Sequence, residues 1–142
     1  MSPEPGKRVL KVFVFCWLPF LLYIGLISWG SSHVIGVKWA FRYDKLIHIC
    51  EFTVFAVLLS RALVTTFSGL RGRDVIMITC VLGFLYGTID EYQQSFVPGR
   101  VADLMDAAAD AAGSAFGAFV YALYLKITAI RKDRQTGVNA TD

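Results

Sequence analysis

Between Lys11 and Lys38 the chain runs for 26 residues without a formal charge, beginning Val12-Phe13-Val14-Phe15-Cys16-Trp17-Leu18-Pro19-Phe20. A helix of that length rises about 39 Å, more than the roughly 30 Å of hydrocarbon in a bilayer. The run is therefore long enough to cross a membrane, and the rest of the composition agrees. Hydrophobic residues make up 56% of the chain and charged ones 18%, against about 25% charged in soluble proteins. That balance excludes a disordered chain and a nucleic-acid binder working through a basic face.

Shorter uncharged runs cover Phe52–Ser60, Val75–Ile89 and Ala111–Leu125; each spans a bilayer only if its flanking charges are drawn in. The reading is an all-α polytopic membrane protein, a bundle of four transmembrane helices near Val9–Trp29, Asp44–Val64, Val75–Gln94 and Asp103–Ile130. At 142 residues the chain is one domain, 1–142, with short polar tails at 1–8 and 131–142. Pro3, Pro5 and Gly6 should block an early helix, and Pro19 should kink the first span. Lys7, Arg8 and Lys11 ahead of an apolar run suggest a signal peptide. The run through Trp29 is too long for one, and no A-x-A-like site follows, so the segment reads as uncleaved. Trp39, Phe41 and Tyr43 in the first loop are of the type found at bilayer interfaces. Cys16, Cys50 and Cys80 lack metal-type spacing and read as packing residues. The sequon Asn139-Ala140-Thr141 sits in the polar tail and carries no weight.

Basic residues set the topology. Lys7, Arg8, Lys11, Arg61, Arg71, Arg73, Lys126, Arg131, Lys132 and Arg134 fall on one side, and only Lys38, Arg42, Lys45 and Arg100 on the other. The positive-inside rule then places both termini in the cytoplasm. Asp44, Glu51, Asp90, Glu91, Asp103, Asp106 and Asp110 gather toward the outer ends of helices two to four.

Helical spacing sharpens that gathering. Asp44, His48 and Glu51 form one stripe; Gly83, Gly87, Asp90 and Gln94 form another, with Glu91 beside it; Asp103, Asp106, Asp110, Gly113 and Gly117 form a third. The glycine pairs are small-xxx-small patterns, which should pack the third helix on the fourth. Glu51, Asp90 and Asp110 lie a turn or two inside their spans, where a carboxylate costs roughly 3 kcal/mol on insertion scales and signals function. Asp44 and Asp103 also read as water-facing N-caps, and His48 as a packing or capping residue at the edge of the site. Arg100, placed by a turn at Pro98-Gly99, is the expected counter-charge to Asp90, Glu91 or Asp106.

The segments Asp44-Lys45-x-x-His48-x-x-Glu51-Phe52, Tyr86-x-x-x-Asp90-Glu91-x-x-Gln94-x-Phe96-Val97-Pro98-Gly99-Arg100 and Asp103-x-x-Asp106-x-x-x-Asp110-x-x-Gly113-x-x-x-Gly117 resemble the VanZ-like family, over about 44–117. Asp110 stands where that family often carries asparagine. The resemblance implies a small helical protein of the bacterial plasma (inner) membrane, in a family named for resistance to the glycopeptide teicoplanin, and brings no settled reaction. Its recurrent residues map onto Asp44, Lys45, His48, Glu51, Asp90, Glu91, Gln94, Arg100, Asp106 and Asp110.

Three function classes stay open. In a binding protein, the outer cluster takes the headgroup of a membrane lipid, a lipid-linked envelope component or a glycopeptide through Asp44, Lys45, Gln94, Arg100, Asp103 and Asp106. In an enzyme, His48, Glu51, Asp90, Glu91 and Asp110 are the catalytic candidates. Glu51, Asp90, Glu91, Asp106 and Asp110 are then candidate ligands to a divalent cation such as Mg²⁺, Mn²⁺ or Ca²⁺. In a proton-coupled transporter or a scaffold, the cluster relays protons or ties helix ends together.

Overall fold

The computed structural model describes residues 5–33, 43–98, 100 and 102–138. Helix α1 comprises Pro5–Val12, a π-helical turn over Phe13–Trp17 and Leu18–Ser31; α2 is Asp44–Thr66, α3 is Gly72–Gln94 and α4 is Leu104–Val138. No strand occurs among the described residues, and all four helices are long and apolar enough to cross a membrane. Lys38, Trp39, Phe41, Arg42, Gly99, Pro3 and the Asn139-Ala140-Thr141 sequon lie outside the described residues.

The helix ends depart from the sequence reading for local reasons. Proline does not delay α1, which starts at Pro5, because the first helical turn leaves its N–H groups unused and tolerates a residue without one. Pro19 removes one donor from the ladder and crowds the carbonyl four residues earlier. The chain absorbs this in the π-helical turn immediately upstream. Asp74 accepts the backbone N–H of Arg71 at 3.1 Å, so α3 begins at Gly72. At the far end, α4 continues past Ile130 to Val138 where a polar tail was expected; Lys, Arg and Gln are good helix formers, and charge alone does not end a helix.

The distribution of polarity is inverted relative to a soluble bundle. Leu22, Met77 and Phe119 are 66%, 63% and 58% exposed, while Asp90 and Asp110 are 2% and 0% exposed. An apolar exterior with ionisable groups turned inward is the arrangement a bilayer stabilises. Inside, Phe20 and Ile27 of α1 pack on Phe52, Phe55, Leu59 and Leu63 of α2. Tyr86 of α3 stacks on Phe55 with ring centroids 5.3 Å apart.

The broadest interface is α2 on α4, followed by α3 on α4. Glycines build both, and one pairing differs from expectation. Gly83 and Gly87 of α3 face Ser114 and Asp110 of α4, as the sequence suggests, but Gly113 and Gly117 of α4 face Ile49, Thr53 and Ala56 of α2. Residues three and four apart lie on adjoining strips of a helix, so α4 turns one strip to each neighbour. Asp110 stands between them. Alternating helix directions put Ser31, the start of α2, the end of α3 and the start of α4 at one end of the bundle.

Candidate functional site at the polar end of the bundle

The acidic stripes meet at that end. His48 Nδ1 lies 2.8 Å from Asp110 Oδ1, with the imidazole N–H donating to the carboxylate. Both side chains are buried. His48 is therefore at the centre of the cluster and not at its edge, beside the close α2–α4 approach where Gly113 meets Ile49. Asp90 Oδ2 accepts from Ser31 Oγ at 2.9 Å and from Gln94 Nε2 at 2.8 Å, which ties the end of α1 to the end of α3. Glu91 Oε2 accepts the backbone N–H of Asp103 at 2.9 Å and so joins α3 to the start of α4. Glu51 is half-buried at the same end of α2.

The counter-charge also differs from the sequence reading. Lys45 Nζ donates to Asp103 Oδ2 and to Asp106 Oδ1, each at 2.8 Å. Among the described residues Arg100 forms no ion pair with Asp90, Glu91 or Asp106. Lys45 reaches them because it sits one residue into α2, directly across from the first turn of α4. Asp103 caps α4 through the N–H of Met105 at 2.9 Å, as its N-cap reading requires. The Lys45 hydrogen bond, and then the Met105 N–H, hold the Asp103 carboxyl below its ordinary range. That contact contributes above the usual carboxylate range and is lost as pH falls through the lowered value.

Among the described residues, three buried carboxyl oxygens have no hydrogen-bond partner: Asp90 Oδ1, Glu91 Oε1 and Asp110 Oδ2. Ser114 Oγ is in the same condition one turn below Asp110. An acceptor buried in this way calls for a proton, a cation or a ligand donor. Two sets of potential ligand atoms lie within 4.8 Å of one another, Asp44 with His48 and Asp106, and His48 with Glu91 and Asp110. His48 belongs to both sets, while Glu51 and Asp90 belong to neither.

Beside the cluster, a cavity of about 390 Å³ opens between α3 and α4. Phe84, Thr88, Leu104, Ala107 and Ala108 form its largely apolar wall, and Glu91 and Asp103 line its polar part. Spacing did not identify Ser31 or Gln93 as parts of this end. Gln93 Nε2 donates to the Ser28 carbonyl at 2.9 Å, and Ser28 Oγ lies 2.9 Å from the Tyr86 hydroxyl. The available signal was a group of serines closing an otherwise apolar run.

Fold and site together define a class: a small multi-pass integral membrane protein in which the four spans found among the described residues close around buried carboxylates at one end. A family model described as VanZ/LLP1 matches residues 3–125, and the chain belongs to that family. The match takes in α1, which the resemblance by motif did not reach. No curated protein and no solved structure matches the chain.

Proposed function

We propose that this VanZ/LLP1 protein binds the polar headgroup of a membrane lipid or lipid-linked envelope component at the acidic end of its bundle, in the bacterial plasma membrane. One observation carries the reading: the cavity beside α3 and α4 joins an apolar wall to Glu91, whose Oε1 is buried without a partner. Apolar lining with a few convergent polar groups is the usual composition of a ligand site, and about 390 Å³ falls within the common range of roughly 300–1,000 Å³. Asp44, Lys45, Gln94, Arg100, Asp103 and Asp106 supply charge and hydrogen bonds around the headgroup. The lysine and arginine count supports an outward orientation for this end. Labelling of Ser68→Cys from outside intact cells would contradict it.

Native mass spectrometry of the protein released from its own membrane tests the binding. The expected spectrum carries a lipid adduct of one headgroup class, enriched over the membrane's composition; adducts in bulk proportion would contradict the proposal. The 2.8 Å His48–Asp110 contact favours a second reading, a headgroup hydrolase or transferase with His48 as acid or base and Asp110 orienting it. Conversion of the bound lipid, read as a mass change, distinguishes that reading from binding alone. Teicoplanin resistance is the phenotype the family adds to this account, scored by expression in a susceptible bacterium.

A further inference from the structure

We infer that His48, Glu91 and Asp110 hold a single divalent cation, which lies behind the cavity and gives the acidic end its affinity for a phosphate. Each residue comes from a different helix, α2, α3 and α4, and one ligand atom from each lies within 4.8 Å of the others. Around a cation with bonds of about 2.1–2.4 Å, adjacent ligands stand roughly 3 Å apart and opposite ones under about 4.8 Å. The 2.8 Å between His48 Nδ1 and Asp110 Oδ1 is near the adjacent spacing, and Nδ1 releases to solvent the proton it otherwise donates to Asp110 when it ligates the cation.

Burial and unmet hydrogen bonding point to a ligand independently of the spacing. The three side chains are 5%, 6% and 0% exposed. Glu91 Oε1 and Asp110 Oδ2 are buried without a partner, in a set of side chains that already converges. The neighbouring Lys45 is engaged by Asp103 and Asp106, so it does not neutralise the inner pair. In the second set, Asp106 is held by Lys45 and Asp44 is less buried, which makes the inner set the cation site. Two carboxylates and one imidazole suit Mn²⁺ well and Mg²⁺ or Ca²⁺ acceptably.

Glu91 belongs both to this set and to the cavity lining, so a cation there lies one side chain away from whatever fills the cavity. Unscreened carboxylates repel phosphate, and a cation among them reverses the sign of the interaction. This last step rests on the headgroup reading; the cation site itself does not.

The test uses the full chain in detergent, stripped with a chelator and titrated with Mn²⁺, with electron paramagnetic resonance following loss of the free-ion signal. One Mn²⁺ per chain is expected, with ¹⁴N modulation from a single imidazole. Glu91→Gln and Asp110→Asn should each weaken binding at least tenfold, His48→Gln should remove the ¹⁴N modulation, and Asp74→Asn at the opposite end should change nothing. Absence of saturable binding, or of ¹⁴N modulation in the unmodified protein, would overturn the site whether or not the variants fold. Addition of dihexanoyl phosphatidate should produce ³¹P coupling to the bound Mn²⁺, and inorganic phosphate at the same concentration should not. Bound Mn²⁺ without lipid ³¹P coupling would overturn the headgroup reading and leave the cation site standing. Equal coupling from inorganic phosphate would show that a free anion is the ligand, which also contradicts the lipid reading.

Discussion

Gly113→Ala is expected to disrupt the bundle, because a Cβ at that position would meet the backbone of Ile49. A flexible side chain can swing aside from an added methyl, whereas a helix backbone has to move as a unit. Overpacking typically costs about 1–3 kcal/mol, and a backbone obstacle belongs at the upper end of that range. Gly117→Ala meets the carbonyl of Thr53 in the same way, so the pair controls the α2–α4 approach. Gly25→Ala in α1, with nothing within 4 Å of the added carbon, is the control and should be neutral. Thermal unfolding in detergent, followed by loss of the monodisperse peak, measures the difference. Equal stability of the Gly113 and Gly25 variants would refute this close packing.

Glu91→Gln should separate binding from folding. The glutamine carbonyl can still accept the N–H of Asp103, which Glu91 Oε2 accepts at 2.9 Å, so the link from α3 to α4 survives. The substitution removes a charge whose second oxygen, Oε1, has no protein partner. Hydrogen bonds to charged groups are worth about 1.5–3 kcal/mol, so lipid retention in native mass spectra should fall about 10- to 100-fold. In chelator-stripped protein the unfolding temperature should hold steady or rise, since a neutral amide is easier to bury than a carboxylate. A large loss of stability with lipid retention unchanged would assign Glu91 to a scaffold.

The chain's charge pattern makes most of the architecture legible. Uncharged runs show four spans, and stripes at helical spacing bring Asp44, His48, Asp90, Glu91 and Asp110 to one end, where they are found together. Periodicity assigns a residue to a face but not to the helix that the face will meet. Gly113 and Gly117 illustrate this, turning to α2 where only a glycine-to-glycine meeting with α3 was expected. Partner choice among the charges was equally hidden. Arg100 was favoured by its place after a turn, yet Lys45 reaches Asp103 and Asp106 because the starts of α2 and α4 lie side by side. Serine in an apolar helix looks like a terminator in one dimension, so the Ser31–Asp90 tie became visible only once α1 was placed against α3. Helix ends moved for different local reasons, proline accepted in the first turn of α1, good helix formers carrying α4 on to Val138 and the Asp74 cap on Arg71 setting the start of α3.

Site-specific photocrosslinking in the native membrane most directly tests the claim that the acidic end selects a headgroup. A benzophenone residue replaces Leu104, which lines the cavity beside Glu91 and Asp103, and in a second protein replaces Phe119, exposed on the apolar surface. Irradiation in intact cells followed by mass spectrometry identifies the captured lipids at each position. The account predicts that position 104 captures one headgroup class well above its share of the membrane, while position 119 captures lipids in bulk proportion. The same lipid profile at both positions would contradict it.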